Sequence, residues 1–157
     1  MSRTGECCPA LVDESDPKRC PVSGTIGTRV DLVTVKALLS MVALHRLEGK
    51  AYRFCPEPSC EVVYFDRGAG SVFEKQDLSV RVGLKESEDP IPVCYCFGFT
   101  VADLRNDVAS QGETGIPASI AAEVRAGHCA CEVKNPEGSC CLGNVSRAIA
   151  LARRRPR

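Results

Sequence analysis

Cysteine is the residue that most constrains this chain: eleven occur in 157 residues, and four of them crowd into "GHCACEVKNPEGSCCLG", residues 127–143. Disulfides, zinc, iron–sulfur clusters and reactive thiols all use cysteine, so spacing and context must choose among them. The opening "MSRTGECCPALVDESDPKRC" has no apolar stretch of the kind a secretory signal needs, which makes a cytoplasmic location the expectation. Structural disulfides are rare there, and clustered cysteines more often bind metal. An odd total also fits poorly with a closed set of disulfides. With no tryptophan and eight aromatic side chains, the chain has little with which to build a large core, so metal staples are expected to help hold it.

Twenty basic and twenty acidic side chains cancel, so nothing in the overall charge points to nucleic acid or to an anionic membrane surface. No segment reaches the roughly 20 apolar residues of a membrane span. There is no acid/base pair, phosphate-binding glycine loop or nucleophile–histidine arrangement, and an enzyme is not expected.

Two halves with different periodicity follow an N-terminal arm, residues 1–17. Val35, Leu38, Leu39 and Val42 recur at helical spacing, with Asp31 as a start and Gly49 as a stop. Residues 51–85 read as β structure: Tyr52 and Phe54, then "EVVYF", a "DRGAG" turn, and Leu78, Val80, Val82 and Leu84 alternating with polar residues. The proline-broken "ESEDPIPV" marks a boundary near residue 90. Beyond it, Thr100 with Asp103 makes a capping box for a helix ending near Gly112, Pro117 opens a second helix stopped by Gly127, and a third follows the cysteine pair. The expected fold is therefore α+β: a small zinc-stapled antiparallel sheet with one helix over 18–90, then a small helical domain over 91–157.

In the first half, Cys55 and Cys60 bracket "PEPS" with the spacing of a zinc knuckle. Cys20, in "RCPVSG", is the natural third ligand. The position where a second knuckle cysteine would stand holds Ser23, so the fourth ligand falls to Cys7 or Cys8, with Cys8 favoured beside Pro9. In the second half, "VCYCF" places Cys94 and Cys96 two apart before a capped helix, and the 129–141 cysteines lie opposite. Four thiolates on a small helical frame suit a [2Fe–2S] cluster, and the start of the third helix offers it amide groups. Zinc is the competing occupant. Spacing leaves open whether Cys129 or Cys131 is the third ligand and whether Cys140 or Cys141 is the fourth.

"FCPEPSCEVVYF", "VRVGLKESEDPIPVCYCF" and "CEVKNPEGSCC" together resemble the N-terminal domain of CopZ-type copper chaperones across about residues 18–145. The helical half is also similar to bacterioferritin-associated ferredoxin-like [2Fe–2S] domains. The resemblance implies one mononuclear zinc on Cys20, Cys55 and Cys60, and one [2Fe–2S] cluster on Cys94, Cys96, Cys131 and Cys141. That leaves Cys129 and Cys140 as bystanders. It further implies electron transfer linked to copper handling, with a metal ion or a redox protein as partner. The sequence contains no M-x-C-x-x-C copper loop, so copper delivery to a transporter is not expected of these residues. The alternatives are a soft-metal binding or sensing protein without redox turnover, and a ferredoxin-like partner of an iron-storage or sulfur-assembly protein.

Overall fold

The structure is a computed structural model that describes residues 16–154. Its first half is a four-stranded antiparallel sheet in the order β1 (Thr28–Arg29), β2 (Arg53–Phe54), β3 (Val62–Asp66) and β4 (Ser71–Glu74). The β3–β4 hairpin turns through "DRGAG", where Gly70 takes φ +64° and its amide donates to Arg67 O. β4 itself, "SVFE", is a strand that sequence reasoning does not single out. Val62, Val63, Tyr64 and Phe65 are all fully buried, so β3 is covered on both faces and carries no alternation.

The first helix differs from expectation. It splits into α1 (Leu32–Leu38) and α2 (Met41–Leu44), because Leu39 leaves the helix to bridge Leu78 and Ser40 re-caps the chain by accepting from Ala43 N at 3.2 Å. Asp31 precedes α1 without a side-chain capping bond, and Val42, placed on the apolar face by periodicity, is 78% exposed. Residues 78–84 also depart from the expected strand. Leu78 and Val82 are buried, but the segment pairs only at the isolated Leu39–Leu78 bridge and then winds into a 3-10 turn, Gly83–Lys85. The alternation reports burial on one side; it does not by itself supply a partner strand.

The second half opens with a two-stranded ribbon, β5 (Pro92–Cys94) and β6 (Phe99–Thr100), followed by α3 (Val101–Gln111), α4 (Ile116–Arg125), α5 (Cys131–Lys134) and α6 (Leu142–Arg154). The Thr100–Asp103 capping box is complete, and Gly112 closes α3 in the left-handed conformation at φ +77°. Pro117 lies in the first turn of α4. Leu104, Ile116, Ile120, Val145 and Ile149 form this half's core together with Val93, Cys94 and Cys141. α5 is a single turn between cysteines, too short for periodicity to reveal.

The two halves meet at α5 and the loop after it. Thr34 Oγ1 donates to Glu132 O at 2.5 Å, and Tyr64 OH donates to Pro136 O at 2.7 Å. Gly138, at φ +69°, packs against Thr34 and Val30; a Cβ there would sit 3.0 Å from Thr34 Oγ1. No helix among the described residues is long and apolar enough to cross a membrane.

Candidate metal centres

Cys20 sits in a tight knuckle. Its amide donates to Thr25 O, its carbonyl accepts from Gly24 N, and Gly24 turns the chain at φ +73°. Cys55 directly follows β2, where its amide donates to Val63 O, and the Cys60 amide closes the facing turn onto Glu57 O. These three cysteines are buried, and their sulfurs all lie within 4.8 Å of one another. Cys20 Sγ and Cys60 Sγ are 3.9 Å apart. Two thiolates bonded at about 2.3 Å to one tetrahedral zinc stand about 3.8 Å apart, so the donor set fits that ion.

Burial pushes the Cys55 thiol up to about 11 against partial relief from Ser23, the Glu57 amide and the Lys85 charge. Burial raises Cys20 too, but the amide and hydroxyl of Ser23 and the amide of Val22 outweigh it and leave that thiol below its ordinary value. Ser23 Oγ lies 3.4 Å from Cys55 Sγ, so the serine that interrupts the knuckle pattern stands beside the sulfurs. Cys7 and Cys8, the proposed sources of a fourth thiolate, lie outside the described residues.

The second set is arranged differently. Gly98 N donates to Cys94 O in the turn that separates Cys94 from Cys96, with Gly98 at φ +75°. Cys96 Sγ lies 3.6 Å from Cys131 Sγ and accepts from Ala130 N at 3.2 Å. Cys141, just before α6, has Cys94 as its side-chain partner, and its own amide donates to the Cys131 sulfur. Cys96 and Cys131 thus form one close sulfur pair, and Cys141 neighbours both Cys94 and Cys131. Among the described residues, the Cys20–Cys55–Cys60 trio is the one group of three or more ligand side chains gathered within 4.8 Å.

Burial, then the neighbouring Cys96, pushes the Cys131 thiol up to about 12, and burial with Cys94 raises Cys141 as well. Cys129 is half-buried and Cys140 exposed, and neither joins a sulfur pair. His128 Nδ1 lies 2.5 Å from Glu123 Oε2 on the surface, and His45 is exposed at the end of α2.

Three further residues shape these sites. Asn135, 2% exposed, links both ends of the ligand loop: its amide donates to Cys131 O, its Nδ2 to Ser139 O, and its Oδ1 accepts from Glu137 N. Tyr64 holds the next residue, Pro136. Lys85 lies buried beside the first site. Sequence reasoning does not single out Asn135, although the "KNPEG" segment is a local signal that could mark it; nothing local marks Tyr64 or Lys85.

Residues 17–79 match the zf_CopZ family, a zinc binding domain. Over 130 residues, 82% of this chain, the sequence is 38% identical to the copper chaperone CopZ of Archaeoglobus fulgidus. The crystal structure of that protein's N-terminal domain superposes with a TM-score of 0.69 at 36% identity, covering 82% of this chain and 95% of that one. The chain belongs to the CopZ N-terminal domain family. It spans 60% of the length of the full-length chaperone. Its first half is accordingly a zinc-binding domain, with the Cys20–Cys55–Cys60 trio as the cysteine group that fits the ion. The α+β architecture inferred from the sequence is the CopZ N-terminal fold.

Proposed function

We propose that this chain is a one-electron carrier in copper handling, with a [2Fe–2S] cluster on Cys94, Cys96, Cys131 and Cys141 and a structural zinc on Cys20, Cys55 and Cys60. The domain division at about residue 90 is part of the same reading. Its main support is the convergence of these four cysteines, with Cys96 Sγ 3.6 Å from Cys131 Sγ and Cys141 beside both Cys94 and Cys131. When bound, the cluster supplies a reversible one-electron couple.

The side chains have definite roles in this reading. Cys94 and Cys141 are buried, so that pair is shielded from water, whereas Cys96 is partly open and marks the side from which an electron enters or leaves. The amides of Ala130 and Cys141 donate to the sulfurs of Cys96 and Cys131, and such bonds stabilise negative charge on thiolate and raise the potential. Copper enters through kinship with the A. fulgidus protein, a copper chaperone. A Cu(II) ion or a redox protein at the Cys96 side is the electron's partner, and no residue is assigned to catalysis.

Anaerobic purification followed by absorption and electron paramagnetic resonance tests this. A red-brown protein holding two irons and one zinc per chain supports it. A colourless protein with zinc in both sites ends the redox reading and favours soft-metal binding.

A further inference from the structure

Lys85 is 6% exposed, yet no carboxylate among the described residues lies within salt-bridge distance of its Nζ. Nearby acidic groups make their direct contacts elsewhere, and the Lys85 charge reaches the Glu57 carboxylate only through space. Glu57 Oε1 accepts from Ser59, and Glu86 pairs with Arg81 at 2.8 Å and Lys75 at 3.6 Å. The ammonium instead donates to Glu57 O at 2.7 Å and Cys60 O at 3.1 Å, and stands 5.8 Å over the Phe54 ring. Both carbonyls belong to the 55–60 turn, and Phe54 directly precedes Cys55.

A buried ammonium is costly unless an opposite charge answers it. Carbonyls and an aromatic face supply dipoles and a quadrupole, not a net charge. Three thiolates around a divalent zinc carry one net negative charge, and four carry two. With zinc bound, the metal–thiolate centre would supply that charge, and the Lys85 charge already acts on the Cys55 thiol.

Resting on the assignment of zinc to Cys20, Cys55 and Cys60, we infer that Lys85 is the resident counter-cation of that centre and the strut that fixes its 55–60 turn. It is a positioning residue, since it reaches the ligands through the backbone carbonyls and through space. The arrangement brings a cation from a 3-10 turn 25 residues beyond Cys60 to the floor of the knuckle.

The test compares wild type with K85Q, K85R and K85M, each as the full chain loaded with zinc or with Co(II). Zinc transfer to a chromophoric chelator gives the rate of loss, and the thiolate-to-cobalt absorption reports charge at the sulfurs. K85Q is expected to release zinc about tenfold faster than wild type, in line with the usual cost of losing an outer partner of a metal ligand. It is also expected to shift the cobalt band, and K85R to restore both. K85M, similar in length and uncharged, must release zinc as fast as K85Q. Release from K85M at the wild-type rate overturns the proposal whatever K85Q does, as does a K85R protein as leaky as K85Q, because either result makes the charge irrelevant. A wild-type chain that binds no zinc or cobalt refutes the site assignment itself, a result distinct from equal rates among loaded variants.

Discussion

Tyr64 OH donates a 2.7 Å hydrogen bond to Pro136 O across 72 residues of sequence, tying the central strand of the zinc half to the loop between Cys131 and Cys141. Burial holds the phenol far above its ordinary pKa, so it stays a donor at every working pH. The Tyr64→Phe variant keeps the ring, including its edge contact with Phe54, and strands a buried carbonyl. That loss costs about 1–3 kcal/mol. Zinc content is expected to be unchanged, while the chromophore bleaches faster in air or chelator. Equal bleaching of mutant and wild type would show that the bond does not position the ligand loop.

The ligand assignment separates neighbours one residue apart. Cys131→Ala and Cys141→Ala each remove a member of the proposed four-cysteine ligand set and are expected to abolish the chromophore. Cys129→Ala and Cys140→Ala remove thiols outside that set and are expected to leave the spectrum intact. Anaerobic absorption of the four proteins decides it, and the opposite pattern would transfer the ligand roles to Cys129 and Cys140.

Much of this site is visible in the sequence because cysteine spacing is local. "CPEPSC" brings two sulfurs to one turn, "CYC" puts two at the mouth of a capped helix, and the Thr100–Asp103 box and Gly112 bound α3 where the sequence places it. The pairing of Cys96 with Cys131 is not legible, because it depends on how a one-turn helix docks 35 residues away. Lys85 reads as the polar end of an alternating strand, yet that segment finds no partner strand and folds its lysine inward. Val42 fits a helical stripe, but the break at Ser40 turns it to solvent. In each case the local pattern was real, and a long-range contact determined its meaning.

Alkaline pH is expected to destabilise the metal-free protein. Folding raises the Cys55 thiol from 9.0 to about 11 and the Cys131 thiol from 9.0 to about 12. Between the unfolded and folded values the native state holds protons that the unfolded chain has lost, so stability falls as pH climbs through that window and is fully present below it. With metal bound, the sulfurs are already thiolates and this dependence disappears. Urea midpoints of reduced, chelator-treated protein at about pH 8 and about pH 10, beside those of the loaded form, measure the difference. A metal-free midpoint that holds steady or rises over that interval contradicts the expectation.

Ser23 offers the most direct probe of the zinc site's completeness. Its hydroxyl lies 3.4 Å from Cys55 Sγ, so a thiol at the same position stands within reach of the ion held by Cys20, Cys55 and Cys60. Ser23→Cys is expected to slow zinc loss, because a thiolate is a far stronger zinc ligand than a neutral hydroxyl. If Cys8 completes the site, Cys8→Ser speeds zinc loss, Cys7→Ser does not, and Ser23→Cys rescues the Cys8→Ser protein. Chelator-release rates of the three single variants and the double variant measure these effects. Failure of Ser23→Cys to slow release in the Cys8→Ser background would place the fourth ligand on a side of the ion that Ser23 does not reach.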